Sequence, residues 1–208
     1  MQDLIRDSFE YLKGIDTLEA SGLIFGLLSV YFLIKENIWT WPSGITYILI
    51  SFVIFWQQQL YGDFLLHVFF LILNIYGWYH WLYGSKENTK VPITRLNFKE
   101  NVVYGLISLL GVGLFGYFLS NIHLVFTNLT PASVPYWDAA TTSLSVTAMW
   151  LTARKRIENW HYWFIVDVLA AAIYFYKGIY FYSLLYFIYI ALAIAGYLQW
   201  KKIMTQQT

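Results

Sequence analysis

Seven long, mostly apolar runs follow one another along the chain: Leu18–Ile34, Trp39–Trp56, Phe64–Tyr83, Val102–Ile122, Trp137–Ala153, Trp160–Tyr176 and Ile179–Trp200. A run of about 17 or more such residues is what a helix needs to cross the hydrocarbon core of a bilayer. Backbone polar groups find no water there, so each segment must satisfy its own, and a helix does this internally. Composition agrees, with 59% of the 208 residues hydrophobic, 21% aromatic and 12% charged. Soluble domains carry roughly 25% charged residues, so this chain has too few to cover itself in water. The reading is an all-α membrane protein with seven transmembrane helices. The first, fifth and sixth runs are the weakest, being short and carrying Glu19, Asp138 and Asp167.

The ends and links set the expected organisation. Residues 1–17 mix Asp3, Arg6, Asp7, Glu10, Lys13 and Asp16 with Leu4, Ile5, Phe9 and Leu12, which lacks the basic start and cleavable core of a signal peptide and suggests a short interfacial helix. The links Gln57 to Asp63 and Lys177 to Gly178 are tight, which implies antiparallel neighbours. Of the 13 Lys and Arg residues, Arg6, Lys13 and Lys177 fall on one side, while Lys35, Lys86, Lys90, Arg95, Lys99, Arg154, Lys155, Arg156, Lys201 and Lys202 fall on the other. Cationic loops stay cytoplasmic, so the N-terminus is expected outside and the C-terminus inside.

Shifted by 119 positions, the sequence pairs Trp41 with Trp160, Tyr61 with Tyr180, Gly77 with Gly196 and Trp81 with Trp200, along with several Leu and Ile residues, and sets Lys35 on Arg154. Matches of Trp, Tyr and Gly in one register point to a duplicated three-helix unit. The expected plan is residues 18–83 as one bundle, 84–136 as a cytoplasmic loop, linker helix and outer loop, 137–200 as the second bundle, and 201–208 as a cytoplasmic tail. An odd number of helices between the halves makes them parallel repeats, with a ligand site expected at midplane between them.

Polar residues inside spanning helices mark candidate function, since each is costly in hydrocarbon unless it faces protein or water. Asn74, Trp78 and Trp81 recur at helical spacing in the third helix, as do Asn159, Trp163 and Asp167 in the sixth, and Tyr182, Tyr186 and Tyr189 line a face of the seventh. Such stripes could enclose a flat, polar, aromatic ligand. Competing structural readings stand beside them. Trp39, Trp41, Trp81, Trp160 and Trp200 fit an interfacial belt, Asn74 could bond a neighbouring helix, and Arg154, Lys155 and Arg156 fit a topological anchor. His67 reads as a hydrogen-bonded core histidine, and Asp167 as a residue needing a cavity or a partner. The net charge of +1 argues against nucleic acid, and the absence of cysteine removes thiolate chemistry. His67, His80, His123 and His161 lack metal-ligand spacing and no phosphate-binding loop is present, so neither metal nor cofactor is expected.

Several stretches together resemble the PnuC family of nicotinamide riboside transporters: Asn74-Ile75-Tyr76-Gly77-Trp78-Tyr79 with Trp81, the Gln57 to Tyr61 turn, Trp137-Asp138, and Arg154-Lys155 followed by Glu158-Asn159-Trp160 and Trp163. They extend from Trp41 to Trp200, leaving out the first 17 residues, and Asp167 is an acid where some members carry an amide. The resemblance implies a homotrimer of seven-helix protomers, similar in plan to the SWEET transporters, in a bacterial inner membrane. It also implies facilitated diffusion of nicotinamide riboside, which cytoplasmic phosphorylation traps for NAD synthesis. Stripes and resemblance together give an expected site of Trp41, Gln57, Asn74, Trp78, Asn159, Trp163, Asp167, Tyr182, Tyr186 and Tyr189, with aromatic faces against the cationic ring and amides on its carboxamide and ribose. A transporter of the same fold for thiamine or another nucleoside, a receptor, and an intramembrane enzyme using Asp167 and His67 remain as alternatives.

Overall fold

A computed structural model describes residues 2–58, 61–85, 90–125 and 134–207. Lys86, in the cytoplasmic loop expected after the third apolar run, and residues 59 and 60 of the Gln57 to Asp63 link lie outside the described residues. The helices in chain order are α1 (Gln2–Gly14), α2 (Thr17–Ile34), α3 (Thr40–Gln57), α4 (Tyr61–Tyr83), α5 (Phe98–Ser120), the short α6 (Ile122–Val125), α7 (Pro135–Ala153), α8 (Asn159–Tyr176) and α9 (Tyr180–Gln207). Four of them, over 17–34, 63–83, 98–120 and 180–207, are long and apolar enough by themselves to cross a membrane.

Two boundaries differ from the apolar runs. Helix α5 starts four residues early because Asn97 and Glu100 form a reciprocal capping box, with Glu100 N donating to Asn97 Oδ1 at 2.9 Å and Asn97 N to Glu100 Oε2 at 2.8 Å. Helix α9 continues through the expected tail to Gln207, whose Oε1 accepts from Ile93 N at 3.1 Å. The N-terminal segment is the amphipathic helix α1, packed on α9.

Helices α2, α3, α4, α7, α8 and α9 form a ring. Neighbours in sequence pack within each half, and the halves meet where α4 packs on α7 and α9 on α2. Helix α5 lies outside, against α7, through Ser108 and Thr147 hydroxyls 2.9 Å apart and the Ser143 hydroxyl donating to the Ser108 carbonyl at 2.9 Å.

The 119-residue offset recurs in space. Trp41 and Trp81 meet edge to face at 5.3 Å and 88°, and Trp160 and Trp200 do the same at 5.6 Å and 90°. Trp41 lies over Gly77 and Trp160 over Gly196, so closely that a Cβ on either glycine would overlap the indole. The hydrogen bonds between halves are reciprocal: Trp81 Nε1 donates to the Thr152 carbonyl at 3.3 Å, and Trp200 Nε1 to the equivalent Leu33 carbonyl at 2.8 Å. These four indoles are buried, at 1%, 6%, 2% and 0% exposure for Trp41, Trp81, Trp160 and Trp200, which corrects the belt reading for them. Trp39, at 59% exposure, keeps the exposed position a belt requires.

Lys155 also departs from the reading as a surface anchor. Helices α2 and α7 end in matching turns in which Glu36 (φ 52°) and Lys155 (φ 50°) occupy the left-handed position usually given to glycine. At the end of α8 that position is Gly178 (φ 73°). Lys155 Nζ contacts Glu36 Oε1 at 2.5 Å, donates to the Val91 carbonyl at 2.9 Å and lies 4.3 Å from the Trp81 ring. Burial pulls its ammonium below the ordinary lysine range, and Glu36 opposes that pull. The segment ending at Leu96 straps this end of the molecule: Thr94 exchanges backbone hydrogen bonds with Lys155 and Ile157, and Leu96 N donates to Glu158 Oε2.

Gly77→Ala and Gly196→Ala are each expected to destabilise by about 1–3 kcal/mol through overpacking against an indole, read as similar drops in the unfolding midpoint in detergent. Lys155→Met should cost about 3–5 kcal/mol by leaving Glu36 buried without a counter-charge, and adding Glu36→Leu should recover most of it. A double-mutant cycle on the same midpoints checks both statements.

Candidate ligand cavity

The ring encloses a cavity of about 1970 Å³. Apolar spacing explains how each helix contributes. Residues three and four apart share a face, so α8 presents Trp163, Asp167, Ala170 and Tyr174, α9 presents Tyr182, Tyr186 and Tyr189, and α4 presents His67, Phe70 and Asn74. At the mouth lie Gln57, Asp63, Asp138 and Lys177, all accessible to solvent. The opposite end is sealed by Leu33, Trp41, Thr152, Trp160 and Ala193, all buried. Gln57 and Gln58 at the end of α3 and Lys177 at the end of α8 border the opening.

Of the ten expected site residues, eight line the cavity: Trp41, Gln57, Asn74, Trp163, Asp167, Tyr182, Tyr186 and Tyr189. Trp78 does not. It lies on the outer surface with Ile38, Trp39 and Pro42, because a helix turns about 100° per residue and carries Trp78 about 40° past Asn74, away from Phe70 and Trp81. Asn159 is fully buried below the cavity, its Nδ2 donating to the Arg156 carbonyl at 2.6 Å as α8 begins.

The lining polar groups differ in how far they are already used. Asn74 Nδ2 donates to the Phe70 carbonyl at 2.9 Å, and a Cβ on Gly44 would sit 2.6 Å from Asn74 Oδ1, so the absence of a side chain there makes room for the amide. Trp163 Nε1 donates to the Thr152 hydroxyl at 3.1 Å, which fixes the ring plane. His67 bonds the Asp63 carbonyl through Nδ1 at 2.9 Å and packs against Phe55 and Phe70. Tyr174 stacks on Tyr182 and Tyr186, each 5.5 Å away. Two buried donors, Trp41 Nε1 and Trp160 Nε1, have no acceptor among the described residues. Trp160 was missed as a lining residue, although the 119-residue offset from Trp41 points to it.

The mouth is partly covered by α1. Tyr11 and Tyr182 both donate to Glu19 Oε1, the latter at 2.7 Å, and the Tyr11 ring stacks on Phe181 at 4.4 Å. Burial first, then Glu19, push the Tyr11 phenol up to about 12.

A ring of apolar helices around a one-ended cavity, lined mainly by apolar groups with a few polar ones among them, is the kind of architecture that membrane carriers use. The chain belongs to the family described as nicotinamide mononucleotide transporter, whose model matches residues 16–202. It is 31% identical over 201 residues to the nicotinamide riboside transporter PnuC of Escherichia coli (strain K12), covering 88% of this chain and 84% of that protein. It is also 28% identical over 182 residues to the riboflavin/roseoflavin transporter RibM of Streptomyces davaonensis, covering 86% and 82%. The crystal structure of the vitamin B3 transporter PnuC shares the fold, with a TM-score of 0.71 at 18% identity over 99% of this chain and 89% of that one.

Tyr11→Phe should remove a hydrogen bond to a charged acceptor, a change of about 1.5–3 kcal/mol. Hydrogen exchange in residues 2–14 should rise while the ring helices keep their protection.

Proposed function

We propose that this transporter carries nicotinamide riboside by facilitated diffusion, as a homotrimer in the bacterial inner membrane, feeding NAD synthesis. The observation that carries the reading is the joining of Trp163, the tyrosines of α9 and the Asn74 amide in one cavity, in a chain similar over most of its length to a nicotinamide riboside transporter. Indole and phenol faces stack on a pyridinium ring. Asn74 Oδ1, in the lining, suits a donor on the carboxamide or a ribose hydroxyl. The family description mentions a mononucleotide, but a phosphate needs cationic partners. Lys177 is the one cation in the described lining, and it pairs with Asp138 at 3.4 Å. A nucleoside without phosphate fits better.

In this reading α2–α4 and α7–α9 are parallel three-helix repeats joined by α5, giving seven crossings in a 3+1+3 plan, with the N-terminus outside and the C-terminus in the cytoplasm. The cavity then opens outward, and transport rocks the halves until the Trp and Glu36–Lys155 end parts on the cytoplasmic side. The similarity to RibM favours a flavin as the second reading. Thiamine or another nucleoside remains a further alternative, and an intramembrane enzyme is disfavoured by membership of a transporter family.

Liposomes containing the purified protein should take up labelled nicotinamide riboside saturably, to equal concentrations, with or without a proton or sodium gradient. Uptake of riboflavin in its place would overturn the substrate, and accumulation beyond equality under a gradient would overturn the mechanism. Asn74→Ala or Trp163→Ala should weaken binding by about 1–3 kcal/mol, measured by titration calorimetry.

A further inference from the structure

The lining of the cavity is strongly asymmetric in charge. Asp16, Glu19, Asp63, Asp138 and Asp167 line it against Lys177 alone among the described residues. Four of these carboxylates sit at the mouth, where neighbours and solvent take up their charge. Asp16 accepts from Glu19 N at 2.7 Å as the cap of α2, Glu19 accepts from two tyrosines, Asp138 pairs with Lys177, and Asp63 is exposed. Asp167 differs on every count. It is 7% exposed and faces the cavity from the middle of α8, and no hydrogen bond or ion pair reaches its carboxylate among the described residues.

A carboxylate so placed is expensive unless something compensates it. The fold itself does not call for it, since the position equivalent by the 119-residue offset, Ile48, is an equally buried apolar residue lining the same cavity. Exposed mouth charges are screened over a Debye length of about 8 Å at physiological salt, whereas a charge inside a low-dielectric cleft is not, and it focuses the field on whatever enters.

We infer that Asp167 makes the cavity selective for organic monocations, acting as the counter-charge to a positively charged aromatic ring held against Trp163 one helical turn away. The proposal deepens the function above by giving a reason why a pyridinium nucleoside is accepted over neutral rings of similar shape. It stands on the geometry of Asp167 rather than on the identity of the nucleoside. Solvent screens the mouth carboxylates, so the discrimination rests with Asp167.

The test compares two probes with the same ring and carboxamide, 1-methylnicotinamide, methylated on the ring nitrogen and so a permanent cation, and nicotinamide, which is neutral. Their binding to the detergent-purified protein is followed by quenching of tryptophan fluorescence, with nicotinamide riboside titrated in parallel. Wild-type protein is expected to bind the cation at least tenfold more tightly than the neutral ring, and Asp167→Asn to reduce that ratio to near one by weakening the cation alone. Asp167→Ser serves as a second variant should the first fail to fold. Asp138→Asn, at the screened mouth, should leave the ratio near the wild-type value. A wild-type protein without cation preference, or a preference that survives loss of the Asp167 carboxylate, overturns the proposal. If nicotinamide riboside fails to bind while the Asp167-dependent preference holds, the nucleoside assignment falls and the charge selectivity stands.

Discussion

The contact on which the structure depends is the seam at the closed end, where two copies of one helix-end motif meet and interlock. Glu36 and Lys155 occupy the same place in the two halves, in a backbone conformation that costs a non-glycine residue of the order of 1–3 kcal/mol. A glycine would relieve that cost but could not supply the buried ion pair. Around the pair, Trp81 and Trp200 each donate to a carbonyl of the opposite half, and the indoles fill the space between α4 and α9. Any opening at this end has to separate all of these contacts together, because every member touches both halves. With this end closed, the cavity opens at the other.

The helical character of the chain is plain in its sequence, because the hydrocarbon requirement sets a minimum length for each run and forbids most charges within it. Boundaries are less so. The start of α5 is decided by the Asn97–Glu100 box, which lies upstream of the apolar run, and the end of α9 by polar residues that an apolar scan discards. Tryptophan near a helix end is ambiguous for a physical reason: an amphipathic indole suits a lipid interface and a helix seam equally well. The glycine spacing resolves it, since Trp41 packs over Gly77 within the first half and Trp160 over Gly196 within the second, and a residue facing lipid has no need of a glycine opposite.

Site residues were legible where spacing fixes the face of a helix. Trp163 with Asp167 and the tyrosines of α9 fall on single stripes that the ring turns inward. Trp78 shows the limit of this reasoning, since four residues of helix rotate about 40° past a full circle and a narrow lining excludes the residue at its edge. Asn159 shows another: a polar residue at the first turn of a helix can turn to the loop before it, as the bond of its Nδ2 to the Arg156 carbonyl shows, although its buried Oδ1 has no donor among the described residues. The mouth network of Tyr11, Glu19 and Tyr182 could not be read from sequence at all, because it joins residues far apart in the chain through contacts that no periodicity encodes.

The two halves keep their common identity at the seam and lose it in the lining. Equivalent positions hold Trp41 and Trp160, Gly77 and Gly196, Trp81 and Trp200 at the closed end, whereas along the cavity Ile48 stands opposite Asp167, His67 opposite Tyr186 and Asn74 opposite Ala193. A ligand with distinct ends is poorly served by a two-fold lining, because every group it uses on one side would be repeated uselessly on the other, and each surplus buried polar group carries a desolvation cost of about 1–3 kcal/mol. Confining the charge to α8 and the inward-facing amide to α4 avoids that cost and gives the bound molecule one orientation.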